Sequence, residues 1–151
     1  MKYPKIISGG QTGADRAALD WAIKHGFPHG GWCPAGKMAE DGRMADRYQL
    51  SETPSSDYAV RTECNVRDSD ATLIFSLAPQ LTGGSKLTQE LCIRYRKPCL
   101  HIHPELDAVK LAREFLKRNP VKVLNIAGSR ISREPGIADF VTIILDQVFQ
   151  V

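Results

Sequence analysis

The sequence lacks the long apolar segments that mark membrane proteins and secreted precursors. It contains no apolar run of 18 residues, and its first residues do not form the hydrophobic region of a signal peptide. We therefore expect a cytoplasmic protein without a membrane partner. At 151 residues the chain is long enough for a core of its own, and we expect a single domain over residues 1–151.

An excess of charge of one sign is also lacking. Lys and Arg number 20 against 17 Asp and Glu, so the net charge is only +3, and no polybasic run occurs. The densest basic segments, residues 94–97 and 113–118, are explained by solvated helix faces. This balance suits a small anionic ligand, and we expect no nucleic-acid partner.

Cysteine is sparse, and its positions show no Cys-x-x-Cys spacing. We expect reduced, partly buried thiols rather than a zinc or disulfide framework; these are Cys33, Cys64, Cys92 and Cys99. His101 and His103 would point to one side of a continuing strand, but two imidazoles do not make a structural metal site. We expect a polar strand end beside a ligand cleft there, and no metal ligands.

Two common nucleotide-binding motifs are missing. The Walker A pattern Gly-x-x-x-x-Gly-Lys-Ser/Thr does not occur, and neither does Gly-x-Gly-x-x-Gly. No acidic residue closes a second strand where a ribose would be gripped. These absences disfavour a nicotinamide dinucleotide as the ligand.

What the chain does contain, at its start, is a short apolar run that ends in glycines and passes into a helical pattern. Residues 6–8 predict a strand, and residues 13–25 predict a helix closed by Gly26 in the left-handed position. Glycines between the two let the backbone approach a ligand, and the first amides of the helix favour negative charge. This pattern is typical of an anion-binding loop.

The rest of the chain alternates between strand and helix patterns. We predict strands at residues 6–8, 31–33, 71–76, 98–102 and 121–126, and helices at 13–25, 57–66, 85–96, 106–118 and 137–148, with Ser56 as a possible N-cap. Such alternation indicates an α/β fold with a doubly wound, mainly parallel five-stranded sheet and helices on both faces. Ligands bind such sheets at the carboxyl ends of the strands.

Residues 34–56 form a long polar segment without clear periodicity. Loops of this length in compact domains are usually functional or disordered. Its charged sub-motif, residues 37–43, favours an ordered functional loop, and a solvated surface excursion is the alternative.

Three of the predicted loops follow a strand and precede a helix, so they belong at the same edge of the sheet. Each offers backbone amides, and Arg16 and Arg130 add bidentate positive charge for a phosphate or oxyanion. The predicted ligand-binding residues are Gly9, Gly10, Gln11, Thr12 and Gly13 in the first loop, with Arg16; Thr82, Gly83, Gly84 and Ser85 in the second; and Gly128, Ser129 and Arg130 in the third.

The acidic residues near this edge have more than one possible role. Three roles are open for Asp15: a contact to a ligand amine, an ionic anchor for Arg16, or stabilisation of the first helical turn by its charge. Glu40, Asp41 and Glu90 are the other acids expected there. Residues 68–70 we interpret as a helix termination at the opposite edge.

Six stretches of the sequence occur together in one known family: GGQTGADRAALD at 9–20, GGWCP at 30–34, AEDG at 39–42, RTECNVRDSD at 61–70, TGG at 82–84 and LNIAG at 124–128. On these stretches the chain resembles the molybdenum-cofactor carrier proteins. The resemblance implies a Rossmann-like domain related to LOG-type phosphoribohydrolases and to the DprA-like domain. It also implies a homodimer or homotetramer that binds a phosphate-bearing ligand, either the molybdenum cofactor (molybdopterin) or a nucleotide.

Two positions depart from related patterns. Ser129 stands where the family motif has a proline, which leaves one more amide in that loop. Residues 83–90 partly match the phosphoribohydrolase motif Pro-Gly-Gly-x-Gly-Thr-x-x-Glu, with Glu90 at the spacing of its carboxylate. A carboxylate there would stabilise an oxocarbenium-like centre if it faced the site.

Three functions remain open from the sequence. The first is a carrier or sensor of an anionic cofactor or nucleotide. The second is an enzyme that hydrolyses the N-glycosidic bond of a nucleoside monophosphate. The third is an interaction protein regulated by a nucleotide. No Ser/His/Asp, Cys/His or paired-carboxylate arrangement is evident from spacing, and this favours binding over catalysis.

Overall fold

The computed structural model describes residues 3–105 and 107–151. The helices in these residues are α1 (Ala14–His25), α2 (Tyr58–Arg67), α3 (Gly83–Arg94), α4 (Ala108–Arg118) and α5 (Ile137–Phe149). The strands are β1 (Lys5–Ile7), β2 (His29–Gly30), β3 (Trp32–Cys33), β4 (Met38–Ala39), β5 (Gly42–Arg43), β6 (Ser51–Glu52), β7 (Ala71–Phe75), β8 (Cys99–Ile102) and β9 (Val123–Gly128).

The main sheet has five strands in the order β2–β1–β9–β7–β8, and every neighbouring pair is parallel. All five residues of β7 are buried, as expected for a strand covered on both faces. Helices α1, α4 and α5 pack together, and α2 packs on α3. The predicted α/β class, with a Rossmann-like doubly wound sheet, is confirmed.

The main core lies between the sheet and the α1, α4 and α5 layer. Small side chains of α1 face this core because they recur at helical spacing, and Trp21 packs there against Phe27 and Phe149. Helix α1 ends as predicted, with Gly26 in the left-handed conformation at φ 73°.

The prediction that residues 31–33 form the second strand of the main sheet was wrong. Strand β2 of the main sheet is His29–Gly30, and Trp32 and Cys33 instead form β3, which pairs with β6 in a separate two-stranded sheet. The break lies at Gly31, whose φ of 125° and close approach to the Ser8 backbone exclude a side chain. The Asn65 side chain then binds both the amide and the carbonyl of Trp32.

Residues 34–56 are an ordered excursion with its own small core. Strands β4 and β5 pair antiparallel, and we call residues 38–43 the hairpin. Side chains in and around this segment join Leu19 of α1 in a second buried cluster: Cys33, Ala39, Met44, Tyr48 and Leu50. Burial of these side chains holds the segment against α1.

Several predicted boundaries shift for local reasons. Helix α2 begins at Tyr58, because the Asp57 carboxylate, not Ser56, caps it by accepting the Ala59 amide. Helix α3 begins two residues earlier than predicted. The last strand begins at Val123 because the Asp70 carboxylate accepts the amides of Lys122 and Val123. The predicted start of the fourth helix, Leu106, lies outside the described residues.

All four cysteines carry free thiols. Within residues 3–105 and 107–151, every helix is too short or too polar to cross a lipid bilayer.

Candidate functional site

A cavity of about 410 Å³ opens at the carboxyl ends of β1, β9 and β7. The loops after these three strands all contribute to its lining, together with Arg61 and Thr62 of α2. Its size is in the range of pockets that hold small molecules. The lining residues are Gln11, Asp15, Arg61, Thr62, Ser76, Ala78, Gln80, Leu81, Thr82, Gly84, Ser85, Thr88, Ala127, Gly128, Ser129, Arg130, Arg133 and Glu134.

The amino end of α3 supplies backbone donors to this cavity. Thr82 is the N-cap but makes no side-chain capping bond. The first amides of a helix have no partner within it, so those of Gly83, Gly84 and Ser85 are left to a ligand or water. Since α3 has 12 residues, its dipole adds positive potential at this end.

Three arginines line the cavity. Arg61 of α2 lies 3.2 Å from the Asp15 carboxylate, and Arg130 lies 3.9 Å from that of Glu40. Arg133 is exposed, and among the described residues it forms no ion pair. Guanidinium groups bind phosphate in a bidentate manner, so the cavity has strong anion-binding groups besides the α3 amides.

Three amides of the first loop are already bonded within the protein, whereas we expected this loop to offer free amides. The Gln11 amide donates to the Asp15 carboxylate at 3.3 Å, and the Thr12 amide donates to the Gln11 side-chain oxygen at 3.0 Å. The Gly10 amide lies 3.4 Å from the Ser8 hydroxyl. Side chains close by in sequence, those of Ser8, Gln11 and Asp15, therefore satisfy these three amides of the loop.

Gln11 is the first-loop residue that lines the cavity. It is 5% exposed, and its Oε1 accepts the amides of Thr12 and Glu40. These two donors fix the orientation of the side-chain amide. Its Nε2 is buried and has no partner. An unpaired buried donor is costly, so a water or a ligand atom that accepted from Nε2 would stabilise this arrangement.

Arg16 does not reach the cavity. Its guanidinium pairs with Asp41 of the hairpin and donates to the Gly10 carbonyl. The prediction that it lines the ligand site is not supported by its position. Asp15 consequently anchors Arg61 rather than Arg16.

The remaining first-loop residues and Gly83 do not line the cavity. Gly9 packs against the Arg61 side chain, and Gly10 packs against Met44 and Leu50. The backbone at Gly13 lies so close to the Ser129 carbonyl that a Cβ atom would collide with it. The first-loop glycines therefore allow close packing between loops.

The third loop is fixed to the other two by backbone contacts. The Ser129 amide donates to the Phe75 carbonyl, and the Ser129 carbonyl accepts the Ala14 amide. The Thr12 hydroxyl accepts the amide of Ile131. Gly128, Ser129 and Arg130 all line the cavity, as their predicted role requires.

Glu40 of the hairpin joins the first and third loops from outside the cavity. Its carboxylate accepts the hydroxyls of Thr12 and Ser132 and the Ser132 amide. The Ser132 and Thr12 hydroxyls lower the pKa of Glu40, so it is ionised at neutral pH. This contact gives the ordered 34–56 segment a role in shaping the site.

Two acids within the cavity have shifted pKa values with different causes. Burial raises the pKa of Asp15, against the opposing charge of Arg61. Burial also disfavours ionised Glu134, but the Ser129 hydroxyl and the amides of Leu77 and Ala78 outweigh it and lower the pKa.

His101 in β8 and His103, just after that strand, lie beside this edge with ring centroids 5.0 Å apart. The cavity-lining Ser76 hydroxyl donates to the Ala78 carbonyl, and its oxygen also contacts His101 Nε2. Burial, together with the nearby His103, lowers the pKa of His101. In the part of the chain that the structure describes, no three His, Cys, Asp or Glu side chains are placed to hold a metal ion.

The sequence reasoning missed Arg61, Arg133 and Glu134. Arg61 opens the stretch RTECNVRDSD at 61–70, but it follows a long excursion and its helix precedes no glycine loop, so the loop argument did not include it. Arg133 and Glu134 lie one turn beyond the third loop, and only the folding back of that turn brings them to the cavity. Glu90, in contrast, is exposed on α3 and does not line the cavity.

Comparison with known proteins places the chain in a family. Residues 6–149 match the family described as circularly permutated YpsA SLOG. A crystal structure from Syntrophus aciditrophicus, named "Putative molybdenum carrier protein", shares 49% sequence identity, with a TM-score of 0.92 over 97% of this chain and 94% of that one. No curated protein matches the chain. The protein is a member of the circularly permutated YpsA SLOG family.

Proposed function

We propose that the protein binds a phosphate-bearing small molecule in the cavity and acts as its carrier. The observation that carries this proposal is the convergence of the free α3 amides with Arg61, Arg130 and Arg133 around one pocket. Amides and guanidinium groups are the donors that phosphate and related oxyanions require. Charge, geometry and cavity size therefore favour the same class of ligand.

The molybdenum cofactor and a nucleotide are the two ligands that we propose. Both carry a phosphate and a heterocycle. The buried, unpartnered Nε2 of Gln11 and Nε of Arg61 leave donors for such a ligand beyond those at α3. The name given to the Syntrophus aciditrophicus protein supports the cofactor, in which case molybdenum would be part of the cargo.

Binding is favoured over hydrolysis of a nucleoside monophosphate. The hydrolase alternative relied on Glu90, and this side chain is exposed outside the cavity. Of the carboxylates that do line the cavity, Asp15 uses one oxygen to pair with Arg61, and Glu134 accepts two backbone amides. No observation at the site favours the enzyme.

The experiment is a calorimetric titration of the purified protein with pyrophosphate, AMP, GMP and neopterin monophosphate. We expect saturable binding of at least one of them, weakened about tenfold or more by Arg133→Ala, because a hydrogen bond to a charged group is lost. Arg118→Ala is the matched control, since Arg118 is exposed at the end of α4.

Two outcomes would contradict the proposal. One is the absence of binding by every phosphate compound. The other is an equal loss of affinity in the two arginine variants. Chromatography of the nucleotide mixtures detects free base, and its release at a catalytic rate would favour the enzyme instead.

A further inference from the structure

The cavity has two chemically different sides. Because β9 lies between β1 and β7 in the sheet, the loops after β1 and β7 face each other across the end of β9. The β7 side presents the α3 amides, which suit an anion. The β1 side presents Gln11 and Asp15, and Arg61 of α2 pairs there with the Asp15 carboxylate.

Asp15 is an unexpected group to find at an anion site. It is 4% exposed and lines the cavity, although a carboxylate repels a bound phosphate. Both hydrogen bonds to its carboxylate, from the Gln11 amide and from Arg61, fall on Oδ2. Among residues 3–105 and 107–151, no donor reaches Oδ1.

Gln11 carries an unpaired donor on the same side of the cavity. Its backbone amide contacts the Asp15 carboxylate, so the two residues are neighbours in space. Two amides hold its Oε1, and Nε2 is buried without a partner. The β1 side thus combines one acceptor and one donor that the protein leaves unused.

We propose that Asp15 and Gln11 bind the edge of a nitrogen heterocycle whose phosphate lies at the amino end of α3. A ring N–H or amino group donates to Asp15 Oδ1, and an adjacent ring nitrogen or carbonyl oxygen accepts from Gln11 Nε2. The ligand class is a purine nucleotide or a pterin phosphate. This inference rests on the proposed function and adds the orientation of the ligand and a role for Asp15.

A simpler role for Asp15 is that of a counter-ion to Arg61. The two roles predict opposite results when the carboxylate is neutralised. If Asp15 only balances Arg61, Asp15→Asn strengthens the binding of every phosphate compound alike. If Asp15 also binds the heterocycle, the variant loses its preference for compounds that carry one.

The first test uses the wild-type protein and matched ligands. GMP is compared with 1-methyl-GMP, AMP with N6,N6-dimethyl-AMP, and all of these with neopterin monophosphate and ribose 5-phosphate. We expect one heterocycle class to bind about tenfold or more tightly than ribose 5-phosphate, because its donor meets a carboxylate. If that class is a purine, its methylated partner should fall to the level of ribose 5-phosphate.

The second test repeats the titrations on Asp15→Asn and Gln11→Ala. We expect Asp15→Asn to keep or improve its affinity for ribose 5-phosphate and to lose most of the preference for the heterocycle. Asp139→Asn is the matched control, because Asp139 is an exposed acid in the first turn of α5, as Asp15 is in the first turn of α1. If Asp15→Asn does not fold, the ligand series on the wild-type protein still decides whether the site binds the edge of a heterocycle.

The possible failures are distinguishable. Equal affinity for ribose 5-phosphate, the nucleotides, their methylated partners and neopterin monophosphate would overturn this inference while leaving phosphate binding intact. If none of these compounds binds, and pyrophosphate does not bind either, the proposed function is overturned and this inference with it. A parallel gain for every ligand in Asp15→Asn would reduce Asp15 to a counter-ion.

Discussion

Arg130 connects the cavity to the rest of the site. It lines the cavity, lies over the Tyr58 ring at 5.7 Å from its centroid and approaches Glu40 at 3.9 Å. These two contacts restrict the guanidinium before any ligand arrives, so less of its freedom is lost on binding.

We predict that Arg130→Ala weakens phosphate binding by about 1.5–3 kcal/mol, the range for a hydrogen bond to a charged group. Isothermal titration with the best ligand of the phosphate series measures this. Arg118→Ala serves again as the control. An unchanged affinity for Arg130→Ala would remove this residue from the site.

Glu134 holds the turn after β7 by accepting the amides of Leu77 and Ala78, each at 2.9 Å. Since its pKa is lowered below the ordinary value of 4.5, the ionised form stabilises the fold. This contribution is fully present above pH 4.5 and is lost as the pH falls through the folded-state pKa.

We therefore predict that Glu134→Gln lowers the free energy of unfolding at pH 7 by about 1–2 kcal/mol, at the low end for charged hydrogen bonds because the side chain is partly exposed. Urea unfolding between pH 3 and 8 measures the difference from wild type, which should shrink towards acid pH. A difference that stays constant over this range would show that the charge plays no part.

At the scale of secondary structure elements, the site depends on how closely the loop before α1 approaches the loop after β9. The Ala14 amide donates to the Ser129 carbonyl at 3.0 Å, and Gly13 lies against that same carbonyl. Gly13 also has a φ of 84°, which side chains with a Cβ atom rarely adopt.

We predict that Gly13→Ala destabilises the fold by roughly 2 kcal/mol or more, since backbone strain and a backbone clash act together. Gly84→Ala is the matched control for stability, because a Cβ atom there meets nothing within 4 Å. Thermal unfolding of the two variants measures the contrast. Equal midpoints would mean that the two loops do not need this contact.

The sequence was sufficient to predict the alternation of strands and helices, because buried strands such as β7 and helices such as α1 carry strong local patterns. It did not reveal the pairing of Trp32 and Cys33 with β6, since that depends on a turn at Gly31 and on Asn65 from a distant helix. From the sequence we also predicted that Arg16 binds the ligand, because no local pattern shows that Asp41 of the hairpin is the partner of Arg16.

At the scale of the whole molecule, binding should be visible as added stability. A ligand at 100 times its dissociation constant adds about 2.7 kcal/mol to the free energy of unfolding. For a chain of this size we predict a rise in Tm of roughly 5–10 °C, since each kcal/mol corresponds to about 2–4 °C. Differential scanning calorimetry at several ligand concentrations measures it, and a Tm that does not rise with concentration would contradict binding.

The homodimer or homotetramer implied by the family resemblance remains a prediction. Sedimentation equilibrium with and without ligand would determine it. A monomer under both conditions would show that the cavity of one chain is sufficient for binding and that the site needs no residue from a second copy.

The central claim is that an anion binds at the amino end of α3, in the cavity that the loops after β1, β9 and β7 line. A ¹H–¹⁵N correlation spectrum of the labelled protein, titrated with the best-binding phosphate compound, tests it most directly. We predict the largest shifts at the backbone amides of Gly83, Gly84 and Ser85 and at the side-chain amide of Gln11. Shifts confined to residues away from the cavity, or no shifts under saturating conditions, would contradict the account.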